Sequence, residues 1–73
     1  MTYSMKTLKQ IRTELGMSQR QLAKITGMLQ PNIVVMEKTN LKDAKVPTLS
    51  RLASAMQCRA IIQDDAVFFE KIV

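Results

Sequence analysis

The 73-residue sequence predicts a mostly α-helical domain of four or five helices with a short C-terminal β-strand or hairpin. Through most of the chain, apolar residues recur every three or four positions, as they do on one face of a helix. Glycine and proline fall between these segments, where they end or begin helices. From residue 59 onward, short apolar runs rich in β-branched and aromatic side chains are instead typical of strands.

The first helix is predicted over residues 5–15. Ser4 can cap its N-terminus, because a serine hydroxyl accepts a hydrogen bond from a free amide in the first turn. Gly16 follows the last apolar residue and can adopt the left-handed conformation that ends a helix. The spacing predicts one apolar face, made of Met5, Leu8, Ile11 and Leu15.

Two short helices follow, over residues 19–26 and 30–38. The segment from Ser18 to Gln21 fits the capping-box pattern, in which the Ser and Gln side chains satisfy free amides reciprocally. Gly27 ends the second helix, and Pro31 is favoured in the first turn of the third. The buried side of the third helix is predicted to consist of Ile33, Met36 and Val34.

A polar loop over residues 39–46 leads to a fourth helix that opens at Pro47 and Thr48. Its apolar residues at helical spacing are Leu49, Leu52, Ala53 and Met56. The runs 60–62 and 67–69 then flank two aspartates, which predicts strand, turn and strand. A last helix starting at Asp65 is the alternative. The sequence thus divides into a helical domain over 1–58 and a β segment over 59–73.

The net charge of +5 is unevenly distributed. Residues 1–59 carry ten Lys or Arg against three acidic residues, whereas residues 60–73 carry one against three. A basic body with a mildly acidic end favours a polyanionic partner, most often nucleic acid.

Other functional classes are disfavoured by composition. With no His and one Cys, the chain has no internal disulfide and no set of residues suited to a metal ion. No nucleophile–base pair or phosphate-binding loop is present, so we expect neither an enzyme nor a cofactor. No apolar run reaches the roughly 18 residues of a membrane span, and the N-terminus lacks the apolar stretch of a signal peptide. We therefore expect a cytoplasmic protein, nucleoid-associated when bound to DNA.

The second and third helices have the spacing of a helix-turn-helix. Ala23 lies four residues after Gln19, Gly27 lies four further, Ile33 six further and Met36 three further. A small residue within the first helix lets the second pack across it, and the glycine accepts a positive φ in the turn. With these residues, the sequence resembles the Xre/Cro-type helix-turn-helix domain of phage repressors, bacterial regulators and antitoxins. The resemblance covers about residues 8–57. The matching positions are 8–12, 16–19, Leu22-Ala23, Gly27, Ile33, Glu37 and 48–53.

The resemblance implies a lambda-repressor-like fold and roles for individual residues. The third helix would enter the major groove of double-stranded DNA and read bases through Gln30, Pro31, Asn32 and Val35. Gln and Asn can make bidentate hydrogen bonds to adenine, and Val can contact a thymine methyl. Gln19 would contact a phosphate, and Arg12 and Glu37 would form a structural ion pair. Four further cations could reach flanking phosphates, with a solvated surface as the alternative for each: Arg20, Lys24, Lys42 and Lys45. The backbone amides that open the fourth helix near Thr48 could also bind a phosphate.

Three positions depart from the family pattern. Leu29 stands where a hydroxyl residue usually caps the third helix. Val34 and Val35 replace commonly polar residues. The alternatives are readout through methyl contacts and DNA shape, weak specificity, or a surface that binds protein. The glycine that usually follows Glu37 is missing, and Asn40 is the residue best able to adopt a left-handed conformation at the exit.

The long loop and the residues from Gln57 to Ile62 most resemble antitoxin-type regulators of toxin–antitoxin operons. In these, a short C-terminal strand often serves dimerisation, which here would involve Ile61, Ile62, Val67, Phe68 and Phe69. The implied function is a homodimeric repressor that regulates its own operon as an antitoxin. The alternatives are a module that mainly neutralises a partner toxin, or a plain phage-type repressor.

Overall fold

Four helices and a C-terminal β-hairpin make up the structure, a computed structural model that describes residues 5–72. The helices are α1 (Leu8–Glu14), α2 (Gln19–Thr26), α3 (Gln30–Thr39) and α4 (Val46–Ala55). The strands β1 (Cys58–Gln63) and β2 (Ala66–Lys71) pair antiparallel. The predicted fold class is therefore confirmed, and the alternative of a last helix from Asp65 is wrong.

Helix α1 begins three residues later than predicted. Thr7 caps it through a capping box with Gln10, while the proposed cap, Ser4, lies outside the described residues. Lys6 instead pairs with Phe69 at the edge of β2: each backbone N–H donates to the other residue's carbonyl, at 3.0 and 2.7 Å. These two hydrogen bonds keep the chain extended before Thr7, and Met5 is 41% exposed rather than buried on a helix face.

The ends of α2 and α3 follow the local signals in the sequence. Ser18 and Gln21 form the predicted capping box, and Gly27 ends α2 with a φ of 71°. At the start of α3, Leu29 makes no side-chain capping bond, and Pro31 lies in the first turn. Helix α3 extends one residue beyond the prediction, to Thr39, and Asn40 adopts the expected left-handed conformation.

The segment predicted as a polar loop contains a core residue. Leu41 is only 1% exposed, and its N–H donates to the Met36 carbonyl at 2.9 Å. This bond belongs to a left-handed exit from α3 that turns the Leu41 side chain back under the helix. Helix α4 then begins at Val46, one residue before the predicted start.

The hairpin has one face on the helices and one face outward. Asp64 and Asp65 both have positive φ, 51° and 63°, as required by a tight two-residue turn. Because residues opposite each other share a face, Ala60 and Phe69 point toward the core, and Ile61 and Phe68 point outward. The core joins the helices to the hairpin through the buried side chains of Leu8, Ile11, Leu22, Ile33, Leu41, Leu52 and Phe69.

Candidate nucleic-acid interface

Helix α3 is anchored along one side and exposed along the other. Ile33 is fully buried, and it packs in the core with Leu22 and Ala23 of α2. The four residues expected to read bases are all exposed: Gln30, Pro31, Asn32 and Val35. All four side chains are therefore accessible on a helix that Ile33 anchors in the core.

A buried ion pair fixes α3 relative to α1. Arg12 donates to both carboxylate oxygens of Glu37, at 2.5 and 3.2 Å, and to the Met17 carbonyl at 2.8 Å. The side chains of Arg12 and Glu37 are only 9% and 6% exposed. Two parallel hydrogen bonds define the orientation of both planar groups, so this pair restrains the tilt of α3.

Helix α2 joins the same network through Gln19. Its Nε2 donates to the Glu37 carboxylate at 2.9 Å, so Glu37 is bound from α1 and α2 at once. Burial alone raises the pKa of Glu37, but the hydrogen bonds from Arg12 and Gln19 and the charge of Arg12 outweigh this and lower it. Gln19 thus has a contact within the chain that the sequence did not reveal, and its half-buried side chain lines the groove between α1 and α3.

The basic side chains fall into two groups. Of the 11 Lys and Arg residues, four form ion pairs: Lys6 and Lys71 with Glu14, Arg12 with Glu37, and Arg59 with Glu70. The other seven are exposed and form no ion pair with any residue between 5 and 72. All seven lie on the helices or the α3–α4 loop: Lys9, Arg20, Lys24, Lys38, Lys42, Lys45 and Arg51. Ion pairing thus leaves the positive charge concentrated on the helical part of the chain.

Two surface grooves run along the sides of α3. The α3–α4 groove, of about 450 Å³, has Asn32 and Val35 on one wall and Lys45, Thr48 and Arg51 on the other. The α1–α3 groove, of about 290 Å³, is lined by Lys9, Gln19, Val34, Glu37 and Lys38. Each side of the candidate reading helix is therefore bordered by cationic side chains.

Three of these cations were not assigned a role from the sequence. Lys9 and Lys38 border the α1–α3 groove, and Arg51 borders the α3–α4 groove. Of the residues that were assigned to phosphates, Lys45 and Thr48 share a groove with Arg51, Arg20 and Lys24 lie on α2, and Lys42 lies in the loop. Sequence spacing alone does not show which helices face the same groove, so these three residues had no distinguishing signal.

The residues expected to mediate dimerisation divide between the two faces of the hairpin. Val67 and Phe69 are 4% and 0% exposed in the core of their own chain, so neither side chain is accessible to a second copy. Ile61 and Phe68 lie opposite each other on the outward face, and Ile62 is 66% exposed beside the turn. Ile72, at 64% exposed, follows β2 and adds to the apolar surface at this end of the chain.

Other kinds of site are not formed by the described residues. Between residues 5 and 72, no group of three or more Cys, Asp or Glu side chains is placed to hold a metal ion. Within the same range, no helix is both long and apolar enough to cross a membrane.

Comparison with protein families agrees with this geometry. Residues 8–61 match the family described as helix-turn-helix (HTH_3). A search of curated proteins gives no significant match. Because the matched region covers most of the chain, the protein belongs to this helix-turn-helix family. It is a DNA-binding transcriptional regulator, with α2 and α3 as the helix-turn-helix.

Proposed function

We propose that the chain is a homodimeric, sequence-specific repressor that binds a pseudo-palindromic operator in the cytoplasm. The observation that carries this proposal is that α3 is held firmly on one side and exposed on the other. Its inner side is held by Ile33 and by the Arg12–Glu37–Gln19 network, while its outer side is exposed between two cationic grooves. A rigid, exposed helix with flanking cations suits insertion into the major groove between two phosphate backbones. Bound at a promoter, the dimer would block access of the polymerase.

Base recognition would come from the exposed residues in the first turns of α3. Gln30 and Asn32 supply amide groups for adenine, and Val35, which is 57% exposed, supplies methyl groups for thymine. Pro31 fixes the first turn without needing an amide partner. Phosphate contacts from Gln19, Arg20, Lys24, Lys42, Lys45 and Thr48 would position the helix without selecting a sequence.

We expect DNA binding to depend strongly on salt concentration. We also expect substitution of a base-reading residue and of a phosphate-contacting residue to have different effects on sequence preference. The logarithm of the affinity for a duplex should fall steeply with the logarithm of salt concentration. Gln30→Ala should change the preferred sequence, with a loss of about 1–3 kcal/mol at its base pair, whereas Lys42→Ala should weaken all sequences alike. Footprinting and fluorescence anisotropy over the same promoter measure both effects.

Two results would contradict this assignment. A flat salt dependence of the wild-type protein would argue against DNA as its partner. Equal losses on every sequence for Gln30→Ala would remove this residue from base recognition while leaving DNA binding intact.

Dimerisation is proposed to use the outward face of the hairpin. Ile61 and Phe68 are half-buried and lie opposite each other on this face, next to the Arg59–Glu70 pair, whose ion pair measures 3.2 Å. A second copy of the hairpin is a self-complementary partner, since related faces of a symmetric dimer bury the same apolar side chains. Association would remove the still exposed parts of Ile61 and Phe68 from water.

Phe68→Ala is expected to weaken the dimer without unfolding the domain. Removing its ring takes away apolar surface at the proposed contact, so sedimentation equilibrium should show a shift toward monomer. Val46→Ala is the matched control, because Val46 is a 69% exposed apolar residue on α4, away from the hairpin face. A wild-type protein that is monomeric at concentrations that saturate an operator would contradict the dimer.

We also propose that the regulator serves as an antitoxin in its own operon. Support comes from two segments that resemble antitoxin-type regulators: the α3–α4 loop and the residues from Gln57 to Ile62. A toxin gene beside this one, with a product that co-purifies with the chain, is the expected result. A lone gene or a phage context would instead favour a plain repressor. The alternative that toxin neutralisation is the main activity would require toxin binding by a variant that no longer binds DNA.

A further inference from the structure

The α3–α4 groove brings one unassigned arginine next to the candidate reading helix. Arg51 lies on α4 one turn after Thr48, and both line the groove together with Lys45. Asn32 and Val35 of α3 form the facing wall. A DNA strand passing along this side of α3 would therefore meet Arg51 soon after the bases faced by Asn32 and Val35.

The charge of Arg51 is available for an external anion. It is exposed and makes neither a side-chain hydrogen bond nor an ion pair with any residue from 5 to 72. Arg59 is the useful contrast, since its guanidinium already donates to Glu70 at 3.2 Å. One acidic residue, Asp43, lines the groove, against the two cations Lys45 and Arg51. The groove thus carries a net positive charge beside the reading helix.

We infer that Arg51 contacts the DNA backbone phosphate that flanks the bases faced by Asn32 and Val35. This inference rests on the proposed function. Its effect is to hold the reading helix from the α4 side, while Gln19, which lines the α1–α3 groove, holds it from the other side. A guanidinium carries several N–H donors in a planar fork that suits phosphate oxygens. Arg51 contributes affinity and position in this arrangement, and Asn32 and Val35 contribute the choice of sequence.

The experiment compares salt dependences of duplex binding for wild type, Arg51→Ala, Arg51→Lys and Lys71→Ala. Fluorescence anisotropy is measured from about 0.05 to 0.5 M salt on an operator duplex and on an unrelated duplex. Loss of one phosphate contact per protomer should make the slope shallower by about 0.9 per protomer, which corresponds to roughly eightfold weaker binding per protomer at 0.1 M salt. The loss should be the same on both duplexes, and Arg51→Lys should keep a slope near that of the wild type, because lysine still neutralises the phosphate although it lacks the planar fork.

Lys71→Ala is the matched control for net charge. It removes one positive charge at the far end of β2, where Lys71 is paired with Glu14 at 2.7 Å. Its slope should equal that of the wild type. An Arg51→Ala slope equal to that of the wild type, or equal shallowing in Arg51→Ala and Lys71→Ala, would overturn the inference while DNA binding stands. A wild-type protein without salt-dependent binding would overturn the proposed function, and the inference with it.

Discussion

Arg12→Ala is expected to destabilise the domain by about 3–5 kcal/mol, because it leaves a buried carboxylate without its ionic partner. Glu37 is 6% exposed and would retain only the hydrogen bond from Gln19. The Met17 carbonyl would lose its Arg12 donor as well. A domain of this size has a stability of only about 5 kcal/mol, so the variant should retain at most about 2 kcal/mol and unfold at much lower urea concentration. Urea denaturation followed by circular dichroism measures the change.

Arg59→Ala is the control for this prediction. It also removes an arginine from an ion pair, but the Arg59 side chain is 61% exposed, so the expected change is at most about 1 kcal/mol. Equal stabilities of the two variants would contradict the structural role of the buried pair.

The Arg12–Glu37 pair also predicts that the domain is sensitive to acid. The pKa of Glu37 is lower in the folded state than its ordinary value of 4.5. The ionised carboxylate therefore contributes its full share to the free energy of unfolding above pH 4.5, and this share is lost as the pH falls through the lowered pKa.

Phe69→Ala is expected to cost about 3–5 kcal/mol through the cavity it leaves in the core. Phe69 is fully buried, faces Ala60 across the hairpin, and pairs through its backbone with Lys6. The lost ring lies where the hairpin, the N-terminal segment and the helices meet, so the surroundings cannot easily close over it. Thermal and urea unfolding should both show the loss.

The neighbouring residue gives an unusually close control. Phe68→Ala makes the same chemical change one residue away, on the outward face of the same strand. It should retain most of the monomer's stability, and its effect should appear mainly in the association of two chains. Equal destabilisation by the two substitutions would contradict the assignment of the core face of the hairpin.

Much of the helical fold could be predicted because its signals are local. The capping box at Ser18, the left-handed Gly27 and Pro31 in the first turn of α3 each act within about four residues, so they can be read directly from the sequence. The exposed residues of α3 could be named for a related reason. Once Ile33 is taken as buried, helical periodicity turns Asn32 and Val35 away from the core, whereas Gln30 lies three residues before Ile33 and only the structure shows it exposed.

The remaining features depend on residues that are far apart in the chain. The late start of α1 follows from the pairing of Lys6 with Phe69, and the burial of Leu41 follows from the turn of the chain beneath α3. Alternation in β2 predicts that Phe68 and Phe69 face opposite ways, but not which of them meets the helices.

The charged residues show the same difference: their number follows from the sequence, whereas their pairing follows from the fold. Local patterns and composition specify the helices, the turn between α2 and α3, and an excess of positive charge. Folding pairs Arg59 with Glu70, whereas Arg51, beside the reading helix, forms no ion pair with any residue from 5 to 72. The two kinds of feature differ because capping and periodicity are satisfied within a few residues, whereas burial and ion pairing require partners that folding brings together from distant parts of the chain.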